Sequence, residues 1–141
     1  MSIRYGLYQN TNKNFSSYGK WYGRTVDNGV IDFDDFCQHI ADHGTVYSRH
    51  DIAAILGMAI ECAREQVLNG YRVDFGDMGK FYASITSTGA DSASDYSTTS
   101  NVTKVAVKVQ LKTAFSNLSK DASLTASVTN SEADDVKAAR S

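Results

Sequence analysis

The stretch NGYRVDFGDMGKFYASI, residues 69–85, decides how the middle of this chain is read. Tyr71, Val73 and Phe75 alternate with Arg72 and Asp74, and further on Phe81, Ala83 and Ile85 alternate with Lys80, Tyr82 and Ser84. Successive side chains of a strand point to opposite faces, so both halves read as strands with one apolar face. Gly76 and Gly79 sit at the junction, where glycine permits backbone conformations that other residues avoid. A phosphate-cradling loop is excluded by the surroundings. Gly79-Lys80 is followed by Phe81 rather than Ser or Thr, and a strand resumes where a helix N-terminus would be needed. The stretch predicts a hairpin whose turn sets Phe81 inward and Lys80 outward.

Two helices are expected before the hairpin. Asp32 is placed as an N-cap, with Phe33, Phe36, Cys37, Ile40 and Ala41 at helical spacing and Gly44 as the stop, giving a helix over about 33–43. Ser48 with Asp51 three residues on repeats the start signal as a capping box. From there Ile52, Ile55, Leu56, Ala59, Ile60, Ala63 and Val67 form a wide apolar stripe that ends at Asn69-Gly70. A face this wide suits burial against more than one element.

On the other side of the hairpin, residues 86–101, TSTGADSASDYSTTSN, are small and polar and carry no basic side chain. They read as a flexible excursion. Val102, Val105, Val107 and Val109 then predict a return strand, and 111–118 a short helix. The chain from 119 to 141 is poor in apolar residues and has no aromatic one, which predicts a polar, disordered tail with a fleeting helix near 131–140. At the N-terminus, Ile3/Tyr5/Leu7 and Trp21–Val26 read as a pair of short strands around a polar loop.

Composition narrows the class. The 141 residues carry 14 basic and 16 acidic side chains, so a nucleic-acid partner has to be met by a local patch rather than by net charge. No stretch approaches the about 18 apolar residues of a membrane span, and the chain reads as soluble and cytoplasmic. Cys37 and Cys62 lack a CxxC spacing and read as buried thiols rather than as a zinc or disulfide framework.

The run from Asp32 through Ile85, with VYSRHDIAAIL opening the second helix, NGYRVDFGDMGKF making the hairpin and VTKVAVKV…LKTAFSNL following, resembles the bacterial HU/IHF nucleoid proteins. Gly76-Asp77-Met78-Gly79-Lys80-Phe81 stands at the position of that family's glycine-turn-aromatic signature. With the additional N-terminal segment, the chain looks most like the enlarged HU-like proteins of Bacteroidetes. The resemblance implies an α+β fold with two N-terminal helices, a three-stranded antiparallel sheet with a β-arm and a short C-terminal helix, carried by an intertwined homodimer. It places an N-terminal β extension at 1–31, the HU/IHF-like domain at 32–118 with its arm at about 86–101, and the tail at 119–141. It further implies double-stranded DNA as partner, a nucleoid location, and minor-groove binding that bends the duplex.

The residues allow an independent test of that implication. Period 2 puts Arg72, Lys80, Tyr82, Lys104 and Lys108 on the face opposite the apolar one, with Lys112 just beyond. Residues 102–120 hold four lysines and no acid, the one sizeable positive patch of the sequence. A solvated face whose lysines protect a sheet edge is the alternative. The arm departs from the family, whose arms carry arginines and a wedge proline: the chain has no proline, and its arm contains Asp91 and Asp95. Tyr96 is the arm's single large side chain, placed either to stack on bases or simply to pack.

Other chemistry finds little support. His39 and His43 are four apart, yet no third ligand stands at a telling spacing, so they read as surface histidines and no metal or cofactor is expected. No nucleophile motif or carboxylate pair points to an enzyme. The second reading is an HU-fold structural or protein-interaction module without DNA binding. Its contact surface would be the aromatic N-terminal segment with Tyr5, Tyr8, Trp21 and Tyr22, or the tail; the alternative for these aromatics is the core of the N-terminal extension.

Overall fold

The computed structural model describes residues 2–127. The chain divides into two compact units, Asp32–Asn117 and a second made of Met1–Ile31 with Leu118–Ser141. The expected helix near 131–140 lies outside the described residues.

In the first unit the caps act where the sequence places them. Asp32 adopts an extended backbone and its Oδ1 accepts from the Asp35 amide at 2.8 Å, opening helix α1, Phe33–Ala41. Ser48 opens helix α2, Arg49–Leu68, with a complete capping box: the Asp51 amide donates to Ser48 Oγ at 3.2 Å and the Ser48 amide donates to Asp51 Oδ2 at 3.1 Å. The Ser48 amide, and the Ser48 hydroxyl that donates to Asp51 Oδ2 at 2.8 Å, hold the Asp51 carboxyl below its ordinary range. The far end of α2 closes with a Schellman turn, in which the Tyr71 amide donates to Gln66 O at 3.1 Å and the Gly70 amide to Val67 O at 3.0 Å. Gly70 has φ +90°, the left-handed conformation that this closure requires.

The sheet order is β3-β4-β5, formed by Val73–Asp74, Gly79–Ser87 and Val102–Leu111, all antiparallel. The strand expected over 71–75 is confined to Val73–Asp74, because Tyr71 is taken up in closing α2 and Phe75 already belongs to the turn. That turn is held by the Phe75 amide on Gly79 O at 2.8 Å and by the Gly76 amide on Asp74 Oδ1 at 2.7 Å. Gly79 has φ +142°, and a Cβ there would collide with the Gln110 carbonyl oxygen of β5. Phe75 and Phe81 meet edge to face, centroids 4.8 Å apart, on the side of the sheet that α2 covers. Cys37, Ile52 and Val67 are the buried apolar residues of this unit, and the expectation that Cys62 is buried is corrected, since it lies exposed on α2.

The expectation of a flexible excursion or extended β-arm at 86–101 is corrected. The segment is a compact loop containing a 3₁₀ turn, Ala93–Asp95, and a single helical turn, α3, Thr98–Asn101. Asn101, 8% exposed, organises it. Its Nδ2 donates to Gly89 O and Thr88 Oγ1, each at 3.2 Å, its Oδ1 accepts from the Ser97 amide at 2.9 Å, and its carbonyl accepts from the Thr88 amide at 2.8 Å. One side chain satisfies the backbone of both ends of the loop, which composition alone does not disclose. The helix expected over 111–118 is shorter, α4, Thr113–Ser116.

The second unit is a sheet of order β2-β1-β6, from Trp21–Val26, Ile3–Gln9 and Leu124–Ala126. The two N-terminal strands pair antiparallel, Tyr8 opposite Tyr22 and Gly6 opposite Arg24, and Gly19 at φ +81° returns the polar loop between them. The disordered tail expected over 119–141 is corrected for residues 119–127, the rest lying outside the described residues: β6 lies parallel to β1, bounded by the Ile3 amide on Ser123 O at 2.8 Å and the Ser127 amide on Tyr5 O at 2.7 Å. Arg4 fixes the end of the strand by donating to Ser127 Oγ at 2.6 Å. Three residues suffice because the partner strand is already formed.

Candidate nucleic-acid interface

The register of β4 on β5 sorts the side chains. Directly opposed residues share a face, so Lys80 with Gln110, Tyr82 with Lys108, Ser84 with Ala106 and Thr86 with Lys104 lie on one side of the sheet. Phe81 with Val109, Ala83 with Val107 and Ile85 with Val105 lie on the other. The sheet is therefore two-sided: cations, an aromatic ring and amides on one face, hydrocarbon on the opposite one.

Arg72, just before β3, joins the polar face. Its guanidinium carbon lies 4.4 Å from the Tyr82 ring centroid, and its Nη2 donates to Gln110 Oε1 at 3.1 Å. The side chain thus crosses β4 and ties β3 to β5 over the tyrosine ring. Lys112 follows β5; its amide donates to Met78 O at 3.0 Å, and with Lys80 it lines one open hollow beside Gly79, Gln110 and Thr113. The structure therefore brings together Arg72, Tyr82, Lys80, Lys108 and Lys112, with Lys104 farther along the same face. Tyr96 stands apart, in the loop between β4 and β5.

Two members of the face, Gln110 and Asp74, follow from alternation but are not among the candidate contact residues. Gln110 positions Arg72, a role visible only once three strands are aligned. Asp74 pairs with Lys80 across the hairpin and sets a carboxylate among the cations, where it also accepts from the Gly76 amide. Its alternation with Val73 was legible, its opposition to Lys80 was not.

On the opposite face, Ile60, Ala63, Arg64 and Val67 of α2 with Phe75, Met78, Phe81 and Val107 line an apolar groove of about 300 Å³. Along β5 the apolar row continues uncovered. Among the described residues no set of three or more His, Cys, Asp or Glu is placed to hold a metal, and no helix is long and apolar enough to cross a membrane.

A helix pair that reaches one face of a three-stranded sheet through α2, with the cations on the other face, defines an HU-like α+β domain, here with a β-sheet unit added. The family described as an HU domain fused to wHTH, Ig or glycine-rich motif matches residues 1–126, and the chain belongs to it. Its fold is similar to a crystal structure at 2.25 Å from Bacteroides vulgatus, described as a candidate bacterial DNA-binding protein. The TM-score is 0.63 at 15% identity over 89% of this chain. This chain spans 48% of that one, about half its length. A search of curated proteins finds no match.

Proposed function

We propose that this protein is an architectural DNA-binding protein of the HU type, acting as a homodimer in the nucleoid, with no enzymatic activity and no cofactor. It contacts the duplex backbone with little sequence specificity through Arg72, Lys80, Tyr82, Lys104, Lys108 and Lys112. The observation that carries this reading is the cross-strand register, which sets Lys80, Lys104 and Lys108 with Tyr82 on one face of the sheet and Phe81, Ile85, Val105, Val107 and Val109 on the other. Lysines spread along a strand, without a set of donors aimed at base edges, suit phosphate contact and not base readout. The folded loop at 88–101 offers no long arm to wrap a duplex, so binding is shallow and bending modest; Tyr96 is at most an auxiliary stacking contact.

The dimer is supported by what a single chain leaves uncovered. Val105, Val107 and Val109 are 65%, 50% and 44% exposed, and Ile55, Met58 and Ile60 of α2 are also open. A contiguous apolar surface of this kind marks an interaction face. A second copy presents the same hydrocarbon and satisfies it by symmetry.

The test is binding of the purified protein to duplex DNA over a salt series. Affinity falls with salt along a negative log-log slope, and that slope flattens by roughly 0.9 for each phosphate-contacting lysine removed, as in Lys104→Ala and Lys108→Ala. Absence of binding even at low ionic strength defeats the reading. It would favour the second one, a protein-interaction module using the N-terminal sheet, for which the exposure of Tyr8, Trp21 and Tyr22 speaks.

A further inference from the structure

His39 and His43 of α1 lie one helical turn apart, and their Nε2 atoms approach to 3.2 Å, with ring centroids 4.8 Å apart and ring planes at 74°. Both side chains are exposed. Spacing of four residues puts two side chains on one helix face, but it does not by itself make the same ring nitrogen of each converge on one point. Imidazole nitrogens sit about 2.0–2.1 Å from Zn²⁺, so two of them on one ion, at angles between square and tetrahedral, stand roughly 2.9–3.4 Å apart. The observed separation falls within that range. In the metal-free protein the same approach accommodates one Nε2–H···Nε2 hydrogen bond, one ring donating and the other accepting.

The surroundings favour a cation. His39 is in the last turn of α1, where the terminal carbonyls present the negative end of the helix. Asp35 lies one turn earlier on the same i, i+4 ridge, and Asp42, whose Oδ1 accepts from Gln38 Nε2 at 2.8 Å, flanks His43. Neither completes a three-ligand set, so the protein supplies two ligands and water fills the remaining positions. Paired imidazoles select zinc, nickel and copper over magnesium and calcium, which require oxygen.

We propose that His39 and His43 form an open two-histidine site for a divalent transition-metal ion of the Zn²⁺, Ni²⁺ or Cu²⁺ type. Each ring ligates through Nε2 as its neutral Nδ1–H tautomer. The ring that donates through Nε2 in the metal-free pair moves that proton to Nδ1 by way of water, with no net gain or loss of protons or electrons. The site is separate from the sheet face and stands independently of the DNA-binding reading.

The test uses the full chain without a polyhistidine tag, titrated with CuCl₂ followed by visible absorption and with ZnCl₂ followed by calorimetry. Saturable binding of a single ion per chain is expected, lost in His39→Ala and in His43→Ala and kept in His50→Ala. Circular dichroism of each metal-free variant checks that the helices persist; His39→Gln and His43→Gln replace the alanine variants if those fail to fold. The proposal is overturned by absence of saturable binding in the wild type, by binding that survives both single substitutions, or by an equal loss in His50→Ala.

Discussion

The Arg72 guanidinium lies over the Tyr82 ring at 4.4 Å and, past it, donates to Gln110 Oε1 at 3.1 Å, so one side chain spans all three strands of the sheet. The contact does two things. It holds the short strand β3, only two residues long, against the rest of the sheet, and it keeps a cation on the outward face. A double-mutant cycle of Arg72→Ala and Tyr82→Ala is expected to give a coupling of about 0.5–1 kcal/mol, the size of an exposed cation–π pair. It is read from urea unfolding at one fixed protein concentration, so that association of the kind proposed affects wild type and variants alike. Strictly additive effects would mean that the two side chains are neighbours without interaction.

Asp74 opposes Lys80 on the same face. Asp74→Asn removes the charge and keeps the oxygen that accepts from the Gly76 amide, so the turn survives. The expected outcome is DNA binding tighter by about 0.5–1 kcal/mol at low salt, since a like charge facing the phosphates is removed. Titrations of wild type and variant at two ionic strengths decide it. Weaker binding by the variant would show that the turn, rather than the charge, was altered.

The two turn glycines are expected to respond unequally. Gly76, at φ +68°, has open space about it, so Gly76→Ala carries only the left-handed backbone penalty, about 1–2 kcal/mol. Gly79, at φ +142°, is buried and would push its new Cβ into the Gln110 carbonyl and the Leu111 backbone. Gly79→Ala therefore costs the strain of a glycine-only conformation, about 1–3 kcal/mol, and displacement of β5 besides. Unfolding midpoints should rank wild type above Gly76→Ala above Gly79→Ala, and the reverse order for the two variants would refute the close approach.

What was legible in the sequence follows from how local the determining forces are. The caps at Asp32 and Ser48, the Schellman glycine Gly70 and the outward lysines of β4 and β5 depend on neighbours a few residues away or on simple alternation, and the structure has them where they were read. The strand Leu124–Ala126 was not legible, because a three-residue parallel pairing has its partner more than a hundred positions back and no apolar run of its own. The loop at 88–101 misled for a related reason. Its polarity resembles disorder, yet Asn101 satisfies its backbone, and a single buried amide leaves no trace in composition. In the candidate site, the lysines could be listed by period 2, while Gln110 as the partner of Arg72 required knowledge that β3 and β5 flank β4.

Acid should weaken the start of α2. The Asp51 carboxyl lies below its ordinary range, first because of the hydrogen bond from the Ser48 amide, then because of the Ser48 hydroxyl. A carboxylate whose folded pKa is depressed contributes stability that is fully present above its unfolded value and is lost as pH falls through the folded one. Asp51→Asn should therefore lower the unfolding midpoint at neutral pH and converge on the wild type in acid, whereas Ser48→Ala, which also removes the oxygen that accepts from the Asp51 amide, should stay below the wild type at every pH. A difference between wild type and Asp51→Asn that stayed constant down to the most acid pH tested would rule out the capping carboxylate as its source.

Val107 sits opposite Ala83 at the centre of the hydrocarbon face, half exposed, and lines the groove beneath α2. If two copies bury these faces together, Val107→Glu places two carboxylates within one low-dielectric interface, where unpaired charge costs several kcal/mol. Light scattering is expected to give a dimer for the wild type and dissociation or loss of folding for Val107→Glu, with Val107→Ala retaining a weaker dimer because it removes only hydrocarbon. In the proposed function two sheets share the duplex, so DNA binding should fall along with dimerisation. A wild-type chain that scatters as a monomer would leave the apolar row of β5 unexplained and remove the dimer from the proposed function.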